Sequence, residues 1–274
     1  MSATITASDI NNLRQATGAG MMDCRKALTE SNGDFEAAID WLRKQGQKVA
    51  AKRSDREAKE GVIIAKTTPD HKAGIVLCIS CETDFVSKNA DFVAFAQSIA
   101  DAAIDKNVKS AEELNNVEIG GAKVSDMIND KLASIGEKIA VSKFERIEAP
   151  YVASYIHGAN RMGVLVGLSK EGADAGKDVA MQIAAMNPLA IDESSIPAET
   201  IAREKEIAIE QIKAEGKPAE MAEKIAMGKV NKFFKDNTLL AQLYVKDNSK
   251  SVGDYLKSVD GDLRVTEFKR VALG

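Results

Sequence analysis

Two short apolar runs, Gly74-Ile75-Val76-Leu77-Cys78-Ile79-Ser80 and Gly163-Val164-Leu165-Val166-Gly167-Leu168-Ser169, constrain the fold of this chain more than any other feature. Each is too short for a buried helix and reads as a buried strand. A second strand precedes each of them, Gly61 to Ala65 and Val152 to His157, across polar turns at Thr68-Pro69-Asp70-His71-Lys72 and Gly158-Ala159-Asn160-Arg161. Helical spacing follows each, through about Ile104 in the first half and over Val179 to Ala185 in the second. The expected class is therefore α+β, with a core of two similar β-hairpin and helix subdomains that bury their faces together.

The halves differ in the connection after the apolar run. Lys170 to Lys177 is glycine-rich and has no aromatic, whereas Cys81 to Phe92 is a polar loop that carries Thr83-Asp84-Phe85-Val86. Phe85 belongs to neither the strand nor the helix beside it. Such a residue is either a plug over its own core or a wedge offered to a partner. If the fold needs only a polar connection there, Phe85 is not required by it.

Around this core the punctuation is clear. Residues 1–47 read as three short helices: Thr6 caps the first, Thr17-Gly18-Ala19-Gly20 stops it, Gly33 ends the second, and Asp34 caps the third, which runs to Gly46. Trp41 reads as the core of this small bundle. Residues 48–60 mix both signs of charge and read as a solvated helix or linker. Residues 61–147 form the first subdomain, with a further helix at Val124 to Leu132 and a strand at Ile139 to Ile147. The second subdomain takes 148–190 and 231–274, the latter opening with Phe233-Phe234 and holding strands at Leu243 to Val245 and Arg264 to Arg270. Between them, 191–230 reads as an inserted antiparallel helical hairpin. Ile201, Ala208 and Ile212 face one way with Ile207 and Ile209 beside them, Glu215-Gly216-Lys217-Pro218 reverses the chain, and Met221, Ile225 and Met227 or Gly228 return.

Chemistry is mostly excluded. The balance of 37 basic and 41 acidic residues gives a net charge of -4, so no footprint for nucleic acid or an anionic membrane is expected. No run approaches the roughly 20 apolar residues of a membrane span, the first five residues lack a signal-peptide pattern, and three cysteines are an odd count, all of which suits a cytoplasmic, reducing location. Gly18 to Asp23 fails the dinucleotide fingerprint, so no direct nucleotide binding is expected. His71 and His157 have no ligand-spaced companions, so no metal or other cofactor is expected. Cys78-Ile79-Ser80-Cys81 falls on a strand end with its thiols on opposite faces, which favours buried apolar roles over redox chemistry. The exposed candidates are Thr83 to Val86, Arg14, the Met21-Met22 pair and His157. One of the methionines could instead fill the bundle core, and a lone histidine in a turn says little.

Thr17-Gly18-Ala19-Gly20-Met21-Met22-Asp23-Cys24-Arg25-Lys26-Ala27-Leu28 and Glu82-Thr83-Asp84-Phe85-Val86 resemble the two signatures of the bacterial elongation factor Ts family. The resemblance continues through Tyr155 to Gly158, Gly216-Lys217-Pro218 with Ala222 to Ile225, Lys232-Phe233-Phe234 and Val245-Lys246-Asp247. It implies a guanine nucleotide exchange factor for elongation factor Tu, not an enzyme. It also implies a ubiquitin-associated-like (UBA-like) N-terminal bundle and an inserted coiled coil linked to dimerisation, a self-association that sedimentation after deletion of the hairpin would test. By the same resemblance Thr83, Asp84, Phe85 and Val86 form the loop that displaces the GTPase's Mg²⁺. Arg14, Met21 and Met22 face its nucleotide domain, and His157 contacts its other side. Two departures stand out: some members carry a further C-terminal helical module, and Leu243 stands where proline is common. The alternative reading is an adaptor whose three-helix domain binds a ubiquitin-like partner, which would have no use for the second signature.

Overall fold

The computed structural model describes residues 4–53, 55–215 and 219–274. Helices α1 (Ala7–Thr17), α2 (Met21–Glu30) and α3 (Phe35–Arg53) open the described chain. A capping box starts α1, with the Asp9 N–H donating to Thr6 Oγ1 at 3.2 Å and the Thr6 N–H donating to Asp9 Oδ2 at 2.9 Å. Gly18, at φ 68, stops it in the left-handed region that costs glycine nothing. Leu13, Cys24, Ala27, Leu28 and Ala38 form the buried centre. Trp41 is only half-buried at the edge of that centre, under Lys26 Nζ at 5.7 Å from the ring, so leucines rather than the tryptophan fill the middle. Gly46 does not end the third helix either. A Cβ there would lie 2.9 Å from the Ala133 Cβ, so this glycine admits a neighbouring helix, and α3 runs on to Arg53 with Val49 packed on the main core.

Next come β1 (Glu60–Thr67), β2 (Ala73–Cys81), the single turn α4 (Asp84–Ser87) and α5 (Ala90–Asp105). The short helix α6 (Ala111–Asn116) and the small hairpin β3 (Glu118–Ile119) and β4 (Ala122–Lys123) follow, then α7 (Val124–Ile135) and β5 (Ala140–Glu148). The second half has β6 (Tyr151–His157), β7 (Met162–Leu168) and α8 (Ala173–Met186). Among the described residues these strands make two three-stranded sheets, ordered β1-β2-β5 and, with β10 (Val265–Ala272), β10-β7-β6. Each run that reads as a buried strand is the middle of its sheet. Helices cover its outer face and the other sheet its inner face, so every residue of β2 is buried.

The repeat extends further than its hairpins. Gly74 pairs with Ile147 on the third strand of the first sheet, and Gly163 pairs with Val271 on that of the second. Those third strands carry Phe144-Glu145-Arg146-Ile147 and Phe268-Lys269-Arg270-Val271 in the same register. Arg146 Nη2 donates to Asn107 Oδ1, just past α5, at 2.5 Å, and Arg270 Nη2 to the Ala184 carbonyl, in the last turn of α8, at 3.5 Å. A cation at either helix end complements the dipole. The sheets meet by the same exchange in both directions. A Cβ on Gly74 would lie 2.9 Å from Val152 Cγ1 and 3.0 Å from Leu165 Cδ2, and one on Gly163 would lie 2.8 Å from both Ile63 Cγ2 and Val76 Cγ2. Matching the registers makes Val152 the counterpart of Ile63 and Leu165 that of Val76. The interface therefore has an approximate two-fold axis inside one chain.

The connection into α8 is shorter than the sequence suggests. The helix starts at Ala173, and Gly176 lies within it because a Cβ there would sit 2.6 Å from the Ala153 Cβ of β6. Helices α9 (Ala198–Ala214) and α10 (Ala219–Asn237) pack together through Ala208, Ile212 and Ala226. Ile207 and Met227 turn outward, so alanine rather than methionine fills the return stripe. The reversal at Gly216-Lys217-Pro218 and the side chain of Met221 lie outside the described residues. Phe233 and Phe234 belong to α10, where they pack with Ala190, Ile196 and Val230 at the base of the pair. The hairpin β8 (Leu243–Tyr244) and β9 (Asp247–Ser251), a pairing that the sequence does not announce, and α11 (Val252–Val259) complete the second half. Tyr244 and Tyr255 stack at 4.2 Å, and both hydroxyls donate to Asp178 Oδ2 at 2.8 Å, which ties this segment to α8.

Candidate functional site

Strand β2 delivers the chain to a corner that is held from both sides. The amides of Glu82 and Thr83 donate to Glu137 Oε2 at 3.1 and 3.0 Å, and the Thr83 hydroxyl donates to Glu137 Oε1 at 2.7 Å. Glu137 is presented there because Gly136, at φ 80, ends α7 one residue earlier. On the exit side Asn89 Oδ1 accepts from the amides of Asp91 and Phe92 at 2.8 and 3.3 Å, which caps α5. Between these anchors the polar loop is a helical turn, α4. Thr83 is tied to Glu137, and Val86 packs on the core of the first subdomain. Asp84 faces outward, where hydrogen bonding and charge from Lys88, at 2.6 Å, lower its pKa. Phe85 is 85% exposed, the most exposed large apolar side chain among the described residues. The structure thus divides the four-residue motif into two that hold and two that are presented.

The thiols of Cys78 and Cys81 are buried. Cys81 and Cys78 lie in the cores on opposite sides of the first sheet. Burial first, then the charges of Glu137 and Glu60, push the Cys81 thiol up to about 12, and burial also raises Cys78. At both positions burial disfavours the thiolate that redox chemistry needs.

Phe85 borders a groove of about 400 Å³ lined also by Gly18, Val86, Asn89, Lys131, Ser134 and Ile135 among its neighbours. Gly18 closes α1 by donating its N–H to the Arg14 carbonyl at 2.8 Å, and the turn after it leads to Met21 and Met22, which are 59% and 74% exposed. The methionine pair therefore points to solvent and does not fill the bundle. Arg14 is exposed on α1, and Gly18, at the end of that helix, lines the same groove as Phe85. His157 is exposed at the end of β6, its Nδ1 3.0 Å from the Tyr155 hydroxyl. The turn after it is fastened to β1, with Arg161 Nη1 2.9 Å from Glu60 Oε2 and the Ile63 N–H donating to the Asn160 carbonyl at 2.8 Å. Glu60 pairs with Cys81, so this turn sits at the same end of the core as the Phe85 corner. Among the described residues no group of His, Cys, Asp and Glu could hold a metal, and no helix is long and apolar enough to cross a membrane.

Residues 82–274 match the family described as Elongation factor TS. The chain belongs to the elongation factor Ts family. An elongation factor Ts from Christiangramia forsetii is 52% identical over 275 residues, covering 99% of this chain and all of that protein. Elongation factor Ts from Flavobacterium psychrophilum is 50% identical with the same coverage, and that from Methylococcus capsulatus is 46% identical over 99% of this chain and 92% of its own length. The family match begins at the corner itself, while the full-length relatives of the elongation factor Ts family also span Arg14, Met21 and Met22. Sequence reading misses Glu137, Lys131 and Ile135. The only local sign of Glu137 is its place directly after the glycine that stops a helix.

Proposed function

We propose that this chain is the guanine nucleotide exchange factor of the GTPase elongation factor Tu in translation elongation, and that Asp84 and Phe85 are pressed into the GTPase where they disturb its Mg²⁺ and nucleotide site. The observation that carries this reading is a phenylalanine 85% exposed on a turn that is held by the Thr83–Glu137 hydrogen bond before it and by Val86 packed on the core after it. Leaving a large apolar side chain in water has no use for the fold, and holding it rigidly lowers the cost of burying it in a partner. Arg14, Met21 and Met22 extend the same surface, with flexible methionines suited to an adaptable contact. His157 adds a contact from the second subdomain.

Exchange follows from reciprocity. A surface that binds the nucleotide-free GTPase better than the GDP form weakens GDP binding by the same factor. Burying Phe85 fully contributes about 1.5 to 3 kcal/mol, and each 1.4 kcal/mol directed against the nucleotide is roughly tenfold in affinity. Loss of Mg²⁺ coordination and the contacts of the three-helix bundle supply the remainder. The test is to titrate the chain into nucleotide-free and GDP-loaded elongation factor Tu. The expected result is tighter binding to the nucleotide-free form by the factor through which the chain weakens GDP. Equal affinity for both forms would remove the mechanism.

A further inference from the structure

Two segments far apart in sequence hold each other through carboxylates that reach in opposite directions. Glu137 accepts from the amides of Glu82 and Thr83 and from the Thr83 hydroxyl. Glu82 accepts in return from the Lys138 amide at 2.6 Å. Its carboxylate also pairs with Arg53, the last residue of α3, at 2.7 Å, and lies 3.7 Å from Arg56. The Glu82 side chain is 13% exposed, so the carboxylate at the centre of these contacts is largely withdrawn from solvent. Carboxylates that accept from backbone N–H groups and guanidinium make short, strong hydrogen bonds, and several on one corner fix its direction as well as its place.

We propose that Glu137 and Glu82 are positioning residues for exchange. Glu137 sets the direction of the turn that presents Phe85. Glu82 joins the end of α3, and through it the bundle carrying Arg14, Met21 and Met22, to the same corner. The two contact regions are thereby delivered to the partner as one preformed surface, and neither glutamate has to touch the GTPase. This rests on the exchange reading above. A turn that had to find its direction on binding would give up part of the burial energy of Phe85 to ordering.

Glu137→Gln keeps the side-chain volume but removes the charge and one acceptor oxygen. In the full chain it is expected to slow GDP release from elongation factor Tu by about tenfold, the loss of one charge-assisted contact. The melting temperature should stay near that of the unaltered chain, and the amides of Glu82 and Thr83 should exchange hydrogen faster in the free protein. Added to a chain carrying both Asp84→Ala and Phe85→Ala, the same change should slow release no further, because a residue acting only through the presented pair has nothing left to position. An equal loss in both backgrounds, or no loss, overturns the proposal, as does unchanged amide protection. Should Glu137→Gln fail to fold, Thr83→Val carries the same comparison by removing only the hydroxyl bond. If the unaltered chain does not release GDP, it is the exchange reading that fails, and amide protection in the free protein still decides whether Glu137 fixes the turn.

Discussion

Phe85→Ala is expected to slow release of GDP from elongation factor Tu by roughly ten- to two-hundredfold, the kinetic equivalent of about 1.5 to 3 kcal/mol of lost burial. The free protein should hardly notice. Phe85 is 85% exposed and closes no cavity, so unfolding stability should change by less than about 0.5 kcal/mol. The second subdomain shows why the fold tolerates this. Its central strand passes through Ser169 into α8 with no aromatic, while the register of β6 on β7 matches that of β1 on β2. Stopped-flow release of a fluorescent GDP, measured beside a melting curve of the same variant, separates the two effects. A variant that releases GDP like the unaltered chain would make Phe85 a bystander. One that melts much earlier would make it a plug.

Gly163→Val is expected to do the reverse, lowering stability by about 1 to 3 kcal/mol through overpacking, with any loss of exchange following from unfolding. Even the first carbon of the new side chain would meet Ile63 and Val76 at 2.8 Å, closer than apolar carbons approach. Those residues belong to a buried layer with Ile147, Val152, Leu165 and Val271, so they have little room to retreat. Gly74→Val should behave in the same way for the same reason, since it meets the counterpart side chains Val152 and Leu165. Guanidinium unfolding of the full chain reads the effect, and an unchanged midpoint would mean that the sheets are not in close contact there.

Much of the architecture is legible where a residue type has one physical use. Thr6 with Asp9 can only open a helix economically, and a run such as Ile75 to Ile79 has no polar face to give to water, so α1 and the central strands follow from the sequence. Glycine has two uses, and there the reading slips. Gly18 and Gly33 stop helices with positive φ, whereas Gly46 and Gly176 lie inside helices because another element approaches within a missing Cβ. Only the neighbour distinguishes these cases, and the neighbour is far along the chain. The elements α6, β3 and β4 are too short to show a period. The third-strand repeat is written in the sequence as Phe144 to Ile147 and Phe268 to Val271, but four residues at that separation stand out only once their registers match.

The site divides along the same line. Phe85 is conspicuous because an aromatic without a periodic partner has no place in the core. Thr83 and Val86, read from the resemblance as contacts, prove to be inward-facing supports as well. Glu137 is invisible by itself, since its three hydrogen bonds reach residues some 54 positions earlier and leave no local pattern.

Release of labelled GDP from purified elongation factor Tu, followed with and without this chain at micromolar concentration, tests the central claim most directly. Acceleration that rises with the concentration of the chain and then saturates is the expected result. A release rate that stays at the unassisted value across that range would contradict it.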